Sequence, residues 1–179
     1  MGKVIAVSKS PGHTLIKRNE SVIHLIQGFG VEGDAHFGKK IKHVFDAKRN
    51  PNKPNLRQVH LIHSELHEEL SYDGFTVKPG EMGENITTTG IDLLSLPLDA
   101  ILSIGKVLKI KITGTRKPCN QLNQIQDGLM NAVIDKDAEE NILFKAGVFA
   151  VVLRGGEIRV NDKIVISLTS KPFQKLKPV

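Results

Sequence analysis

Seven short runs rich in valine and isoleucine, set close together with few helical patterns between them, constrain this chain more than any other feature. They are "KVIAVS" (3–8), "SVIHLIQG" (21–28), "RQVHLIHS" (57–64), "AILSIG" (100–105), "KVLKIKIT" (106–113), "GVFAVVLRGG" (147–156) and "DKIVISL" (162–168). Each has the length and β-branched content of a strand. In "KVLKIKIT", Val107, Leu108, Ile110 and Ile112 nearly alternate with polar residues, as on a half-buried strand. Gly105-Lys106 and Gly155-Gly156 each separate two such runs, where tight hairpins are expected. Closely spaced strands argue against a βαβ repeat. The expected fold is mainly β: a closed or partly open antiparallel β-barrel with a few short helices.

The helical candidates are brief. Ser64 is placed to cap "ELHEEL", and "DLLSL" offers one turn before Pro97. "PCNQLNQI" and "DKDAEENILFKA" are the others, the second ended by Gly147. A chain of 179 residues suggests one domain. Residues 1–169 form that domain, and residues 170–179 are a basic tail expected to trail from it. Residues 37–55, "FGKKIKHVFDAKRNPNKPN", interrupt the pattern with six Lys or Arg against one Asp. A segment so long and irregular reads either as a solvated, mobile insertion or as a cationic flap over an anion, ordering when the anion binds.

Hydrophobic residues at 40% and charged residues at 25% suit a soluble globular protein. No apolar run is long enough to span a membrane, and the opening "MGKVIAVSKSPGH" lacks the apolar core of a signal peptide. One cysteine excludes an internal disulfide, so a cytoplasmic protein is expected. The net charge of +6 favours an anionic ligand such as a phosphate, or weak contact with nucleic acid. Aromatics at 4% are too sparse for a platform that stacks single-stranded bases.

The single thiol sits in "TRKPCNQLN" (115–123). A lone cysteine is more often a small buried hydrophobe than a functional group. Here Arg116 and Lys117 flank Cys119 just past a predicted strand, and cations nearby favour the thiolate that serves as nucleophile and metal ligand. Cys119 is therefore expected at the rim of a pocket. In "VEGDAHFG", two glycines bracket Asp34 and His36, a turn that can bring backbone N–H groups and a carboxylate to a ligand. "KPGEMGENITTTG" crowds glycines, Asn85 and three threonines into a short loop and strand, yet lacks the Gly-Lys-Ser/Thr of a phosphate-binding P-loop. His60, His63 and His67 have the spacing of a helical zinc site, but a strand would turn His60 and His63 to opposite faces.

Taken together, "GVEGDAHFG", "RQVHLI", the long stretch from "VKPGEMGENITTTG" to "GTRKPCNQLN", and "GVFAVVLRGGEIRVNDKI" resemble the MOSC domain, named for the C-terminal domain of molybdenum-cofactor sulfurases. The likeness covers roughly residues 1–168 and is greatest to small stand-alone bacterial members. Some of these are linked to detoxifying N-hydroxylated bases. The resemblance implies a barrel-like fold and a cysteine, here Cys119, that ligates molybdenum or carries sulfur as a persulfide. It implies cofactor-binding roles for Asp34, His36, Arg57, Glu84, Asn85, Thr87, Thr88, Arg116 and Lys117, with Thr89 beside them. The implied cofactor is molybdenum cofactor, a pterin dithiolene ending in a phosphate, and thiolate is a suitable soft ligand for its metal. Pyridoxal phosphate belongs to the family through the desulfurase domain of larger relatives, so direct binding is not expected here.

Three functions compete on this basis. The first is a molybdenum-dependent reductase of a small N-hydroxylated substrate, supplied with electrons by a separate protein, since one cysteine cannot hold an iron–sulfur cluster. The second is a sulfur carrier served by a cysteine desulfurase. The third is a basic nucleic-acid-binding module, although no specific nucleic acid and no membrane are expected as partners.

Overall fold

The computed structural model describes residues 2–42, 50, 52–137, 139–168 and 171–179. The expected strands form where the Val and Ile runs lie: β1 (Gly2–Lys9), β3 (Val22–Ile26), β5 (Val59–His63), β7 (Ile101–Ile104), β8 (Leu108–Thr115), β11 (Val148–Arg154) and β13 (Lys163–Ser167). Shorter strands are β2 (Arg18–Glu20), β4 (Gly30–Val31), β6 (Ile86–Thr89), β9 (Ile134–Lys136), β10 (Ile142–Phe144) and β12 (Gly156–Arg159). The main sheet runs β13-β7-β8-β11-β5-β6-β1-β2, and β13 also pairs with β1. That last pairing closes a seven-strand barrel and leaves β2 as an appendage on β1. β12, β3 and β4 make a separate small sheet.

Burial follows the pleat. Along β8, Leu108, Ile110 and Ile112 are buried while Lys109 is exposed, because alternate side chains point to opposite faces. The barrel interior holds Val4, Leu61, Ile86, Leu102, Ile110 and Val148 among others. A second apolar cluster lies outside the barrel wall, where Ile62 meets Leu66 and Leu70 of α1 (Ser64–Tyr72) together with Met82, Leu122 and Leu129. β5 is thus buried on both faces. α1 carries the chain from β5 back to β6, and these two strands pair parallel, unlike every other pairing in the sheet. A parallel pair requires such a crossover.

Several expectations are corrected. Gly105 does open a tight turn, with Ile104 opposite Leu108. Gly155-Gly156, however, makes no hairpin: β11 pairs with β5 and β8, whereas β12 pairs with β3. The two glycines are there because neighbouring segments leave no room for a side chain. A Cβ on Gly155 would lie 2.5 Å from the Leu25 carbonyl oxygen, and one on Gly156 would lie 2.7 Å from Val107 Cγ2. "DKDAEENILFKA" is not a helix but part of the β9–β10 hairpin, with Phe144 opposite Ile134. Its turn is built on the Asp137 carboxylate, which accepts from the N–H groups of Glu139 and Asn141. An aspartate offering its backbone neighbours this alternative opposes helix.

"DLLSL" is a turn rather than a helix, closed by Asp92 Oδ1 accepting from the N–H groups of Leu94 and Ser95. Ser64 begins α1 without capping it, and His63 occupies the cap position. "PCNQLNQI" contributes a 3-10 segment over Asn120–Gln124, and a further one-turn helix, α2, spans Leu129–Ala132.

The C-terminal tail does not trail away. Thr115 N–H donates to the Lys177 carbonyl and Leu98 N–H to the Gln174 carbonyl, so the tail lies along β8. The flanks of the 37–55 insertion are also tied down. Ile41 is buried, its N–H donates to the Lys53 carbonyl, and Asn55 Nδ2 donates to the carbonyls of His36 and Gly38. Residues 43–49 and 51, on which much of the flap expectation falls, lie outside the described residues. Among the described residues, no helix is long and apolar enough to cross a membrane.

Gly147, which opens β11, tests the tightness of this wall. Its φ is +92°, and a Cβ there would lie 2.2 Å from the Leu61 carbonyl oxygen and 2.9 Å from His60 Nε2. Gly28 has a similar φ of +73° with nothing within 4 Å. Gly28→Ala should lose only the backbone preference, about 1 kcal/mol. Gly147→Ala should lose clearly more, because neither neighbour can yield without disturbing the sheet. Thermal denaturation of both variants checks this, and equal shifts in Tm would contradict it.

Candidate functional site

Asn85 stands immediately before β6 and joins three segments distant in sequence. Its N–H donates to the His60 carbonyl at 2.8 Å, and its own carbonyl accepts from Ser8 N–H at 2.8 Å. Its side-chain oxygen accepts from His60 N–H at 3.1 Å. Its Nδ2 donates to the Ser8 carbonyl at 3.1 Å and to Asp34 Oδ2 at 3.0 Å. β1, β5 and the Gly33–Asp34 turn therefore meet on this one amide.

The glycines of "GEMGEN" permit the next approach. Gly80 and Gly83 have φ of +89° and +84°, and a Cβ on either would lie within 3 Å of the carbonyl oxygen of Lys17 or Leu15, respectively. Lys17 N–H in turn donates to the Gly80 carbonyl at 2.9 Å. This contact places Lys17 under the site, where its ammonium lies 2.8 Å from Asp34 Oδ2 with both side chains almost wholly buried. Asp34 Oδ2 also accepts from Ser10 N–H, and Asp34 Oδ1 accepts from His36 N–H.

These segments form one wall of a cavity of about 750 Å³. Its cationic lining is Lys17, Arg57, Arg116 and Lys117. His13 and His36, whose rings meet edge to face, line it too, as do His60, Phe149 and Asn85. Cys119 lies at its edge and is exposed. Its thiol points to Gln121 Oε1 at 3.5 Å. Arg116 reaches back to hydrogen-bond the Met82 carbonyl, which fixes the guanidinium behind the thiol. Arg57 stacks over the Phe149 ring at 5.7 Å, and His60 packs on the same ring at 5.1 Å between centroids. Among the described residues lining this cavity there is no Asp or Glu side chain.

The charges respond to burial in different ways. For Asp34, burial raises the pKa, but the His36 hydrogen bond and the Lys17 charge outweigh it and hold the carboxyl below its ordinary value. Burial depresses Lys17, opposed by the charge of Asp34 and its hydrogen bond. Burial likewise depresses Arg116, opposed by Cys119 and Glu84. His60 is pushed well below its usual value, first by burial and then by the Arg116 charge. It is therefore neutral, and its Nε2–H donates to the Ala146 carbonyl at 2.8 Å.

Of the residues singled out from sequence, Cys119, His36, Arg57, Asn85, Arg116 and Lys117 line the cavity. Asp34 stands behind it, bound to Lys17, Asn85 and His36. Glu84, Thr87 and Thr88 do not line it. Glu84 is fully buried and its Oε1 accepts from Gly80 N–H and Thr87 Oγ1–H. Thr88 is fully buried, and Thr89 donates to Glu65 instead. Thr87 and Thr88 point to opposite faces of β6, and neither lines the cavity. No described residue of 37–55 lines it either. His13, Lys17, His60 and Phe149 line it without having been expected to. The signal for Lys17 would have been its place next to a strand, before "RNE", but sequence alone gives it no partner.

His60 and His63 do part company: His60 is buried against Phe149, and His63 is half-buried at the far end of β5. Among the described residues, no group of three His, Cys, Asp or Glu side chains is arranged to hold a metal ion.

Asp34→Ala should cost about 3–5 kcal/mol in urea denaturation, because it strands the Lys17 charge in the interior. Adding Lys17→Met should recover much of that loss, which a double-mutant cycle would show. The sign with pH follows from the lowered pKa of Asp34. Its contribution is complete above the ordinary carboxylate range of about 4 and drains away as pH falls through the lower folded value. The Asp34→Ala variant should therefore show a shallower loss of stability on acidification than wild type.

The chain matches the MOSC domain family over residues 33–165. No curated protein matches it significantly. Among solved structures, it is similar to the YuaD protein from Bacillus subtilis, at 19% identity and a TM-score of 0.76 over 95% of this chain and 98% of that one. YiiM from Geobacillus stearothermophilus is similar at 17% identity and a TM-score of 0.64, over 93% of this chain and 75% of that one. YiiM from Escherichia coli gives 16% identity and a TM-score of 0.62, over 96% and 73%. At these identities the solved structures speak to the fold, which they share in its closed barrel. The family match spans well over half the sequence, and the chain belongs to the MOSC domain family.

Proposed function

We propose that this protein binds molybdenum cofactor in the 750 Å³ cavity, with Cys119 as the metal ligand, and reduces a small N-hydroxylated substrate there. The observation that carries this reading is the donor set. One exposed thiol stands at a cavity with four Lys or Arg side chains and no Asp or Glu side chain among its described lining residues. The residues fit the group in kind. Thiolate is a soft metal ligand. Arg57, Arg116 and Lys117 supply positive charge for a phosphate, and Asn120 and Gln121 supply amides for a polar heterocycle. The face made by Phe149 and His60 suits a flat ring.

When bound, the cofactor would supply the two-electron chemistry. The chain supplies binding, orientation and electrostatics. Arg116, fixed by the Met82 carbonyl and close enough to Cys119 for the two to interact, holds positive charge beside the sulfur. Asp34 offsets part of the burial cost of the Lys17 charge, and the pair orders the wall of the cavity. Electrons come from a separate donor protein.

The exposure of Cys119 also supports a second reading, in which the thiol receives sulfur from a cysteine desulfurase and passes it on. Protein purified from cells that make the cofactor separates the two. Stoichiometric molybdenum that is lost in Cys119→Ser supports the first. A labile extra sulfur on Cys119 without metal supports the second. Salt-dependent DNA binding with neither would favour a nucleic-acid module. For the cofactor reading, Arg57→Gln with Lys117→Gln should weaken cofactor binding and flatten its dependence on ionic strength. An unchanged salt slope would show that these cations do not face a phosphate.

A further inference from the structure

His36 is held differently from the other polar residues of the cavity. Its N–H donates to Asp34 Oδ1 at 3.0 Å, and its ring Nδ1 lies 3.3 Å from the same oxygen. The other oxygen, Asp34 Oδ2, is occupied by Lys17, Asn85 Nδ2 and Ser10 N–H. The carboxylate is thus fixed from three sides, and the imidazole is fixed by the carboxylate. Asp34 is ionised and can only accept, so Nδ1 must carry a proton. That leaves Nε2 as the exchangeable nitrogen of a ring that lines the cavity and is about one-third exposed, 32%. Nε2 has no hydrogen-bond partner among the described residues. The charged and titratable groups around the ring are Asp34, Lys17 and His13, the last at 5.2 Å between ring centroids, and the same cavity is lined by His60, Arg57, Arg116, Lys117 and Cys119.

We propose that His36 is the proton-delivering group of this site and that Asp34 is its positioning residue. This rests on the reading of the cavity as a reduction site. Converting an N–OH group to N–H consumes two electrons and two protons and releases water. The electrons come from the donor protein. The Nε2 proton of the His36 imidazolium passes to the hydroxyl oxygen as the N–O bond breaks, and water leaves. The second proton, taken from solvent, ends on nitrogen. His36 is left neutral with Nδ1–H still on Asp34, and regains its Nε2 proton from solvent. A histidine oriented by a buried carboxylate suits such transfer, and a positioned acid contributes about 10²–10⁴-fold to a rate.

Two measurements on the full-length, metal-loaded protein test this. The first is long-range 15N NMR of the histidine rings, with His36 assigned by the signals missing from His36→Gln. Neutral wild-type His36 should carry its proton on Nδ1, and Asp34→Asn, whose amide can donate, should move it toward Nε2. A wild-type ring protonated on Nε2 would overturn the proposal. The second is reduction of benzamidoxime, an N-hydroxylated base, with dithionite as electron source, followed against pH. Wild type should slow as pH rises and the acid form is lost. His36→Gln should be slower by about 100-fold or more and lose that pH dependence, with molybdenum content unchanged. An unaltered rate, or a loss of metal that accounts for the loss of rate, would overturn the proposal. A wild-type protein that binds the metal but leaves benzamidoxime unreduced would instead sink the reductase reading. The NMR result would then still decide whether Asp34 sets the tautomer of His36.

Discussion

The hydrogen bonds of Asn85 hold the site together. Its backbone N–H, its carbonyl, its side-chain oxygen and both side-chain protons are engaged, with partners at Ser8, Asp34 and His60. A side chain with both donor and acceptor ends is needed for this. Aspartate would face Asp34 with a second carboxylate, and leucine would strand three buried polar groups, each loss costing about 1–3 kcal/mol. The barrel alone would hold β1 and β5 in place through β6. The turn bearing Asp34 is attached to that frame by Asn85 and by Ser10, so the cavity inherits the rigidity of the sheet.

From that attachment follows the charge distribution. Lys17 is buried because Asp34 is already there to receive it, and Asp34 stays ionised because Lys17 and His36 outweigh its desolvation. A buried pair of this kind contributes little net stability, but removing either partner leaves an uncompensated charge. Its consequence for the site is positional. It keeps one cation beneath the cavity and one imidazole at its side, while Arg116 is held in place by a backbone carbonyl on the opposite loop. Asp34 neutralises Lys17 from behind, but no Asp or Glu side chain among the described lining residues answers Arg57, Arg116 and Lys117, which is the physical ground for expecting an anion.

The glycines show how the loops come so close. At Gly80, Gly83 and Gly147, positive φ coincides with a carbonyl oxygen where a Cβ would stand. These are contacts between segments far apart in sequence, and none is visible from local composition. The same holds for Gly155-Gly156, which looks like a hairpin signal and is instead a crossing between the barrel and the small sheet.

Much of the architecture was legible in the sequence. The positions of seven strands followed from β-branched runs, because a pleated strand buries alternate side chains and writes that period into the chain. The loops carrying Cys119, His36 and Asn85 were legible too, since glycine, amide and cation clusters have few structural uses. Tertiary structure decided the rest. Whether "DKDAEENILFKA" is helix or hairpin depended on one aspartate competing for its neighbours' N–H groups. Whether the threonines of "GENITTTG" face the cavity depended on β6 lying between β5 and β1, which sends Thr87 to Glu84. Lys17 reads as an ordinary surface cation until the fold sets it 2.8 Å from an aspartate seventeen positions away. Periodicity reports which face of an element is buried. It does not report what that face meets, because partners are chosen by pairing across the whole chain.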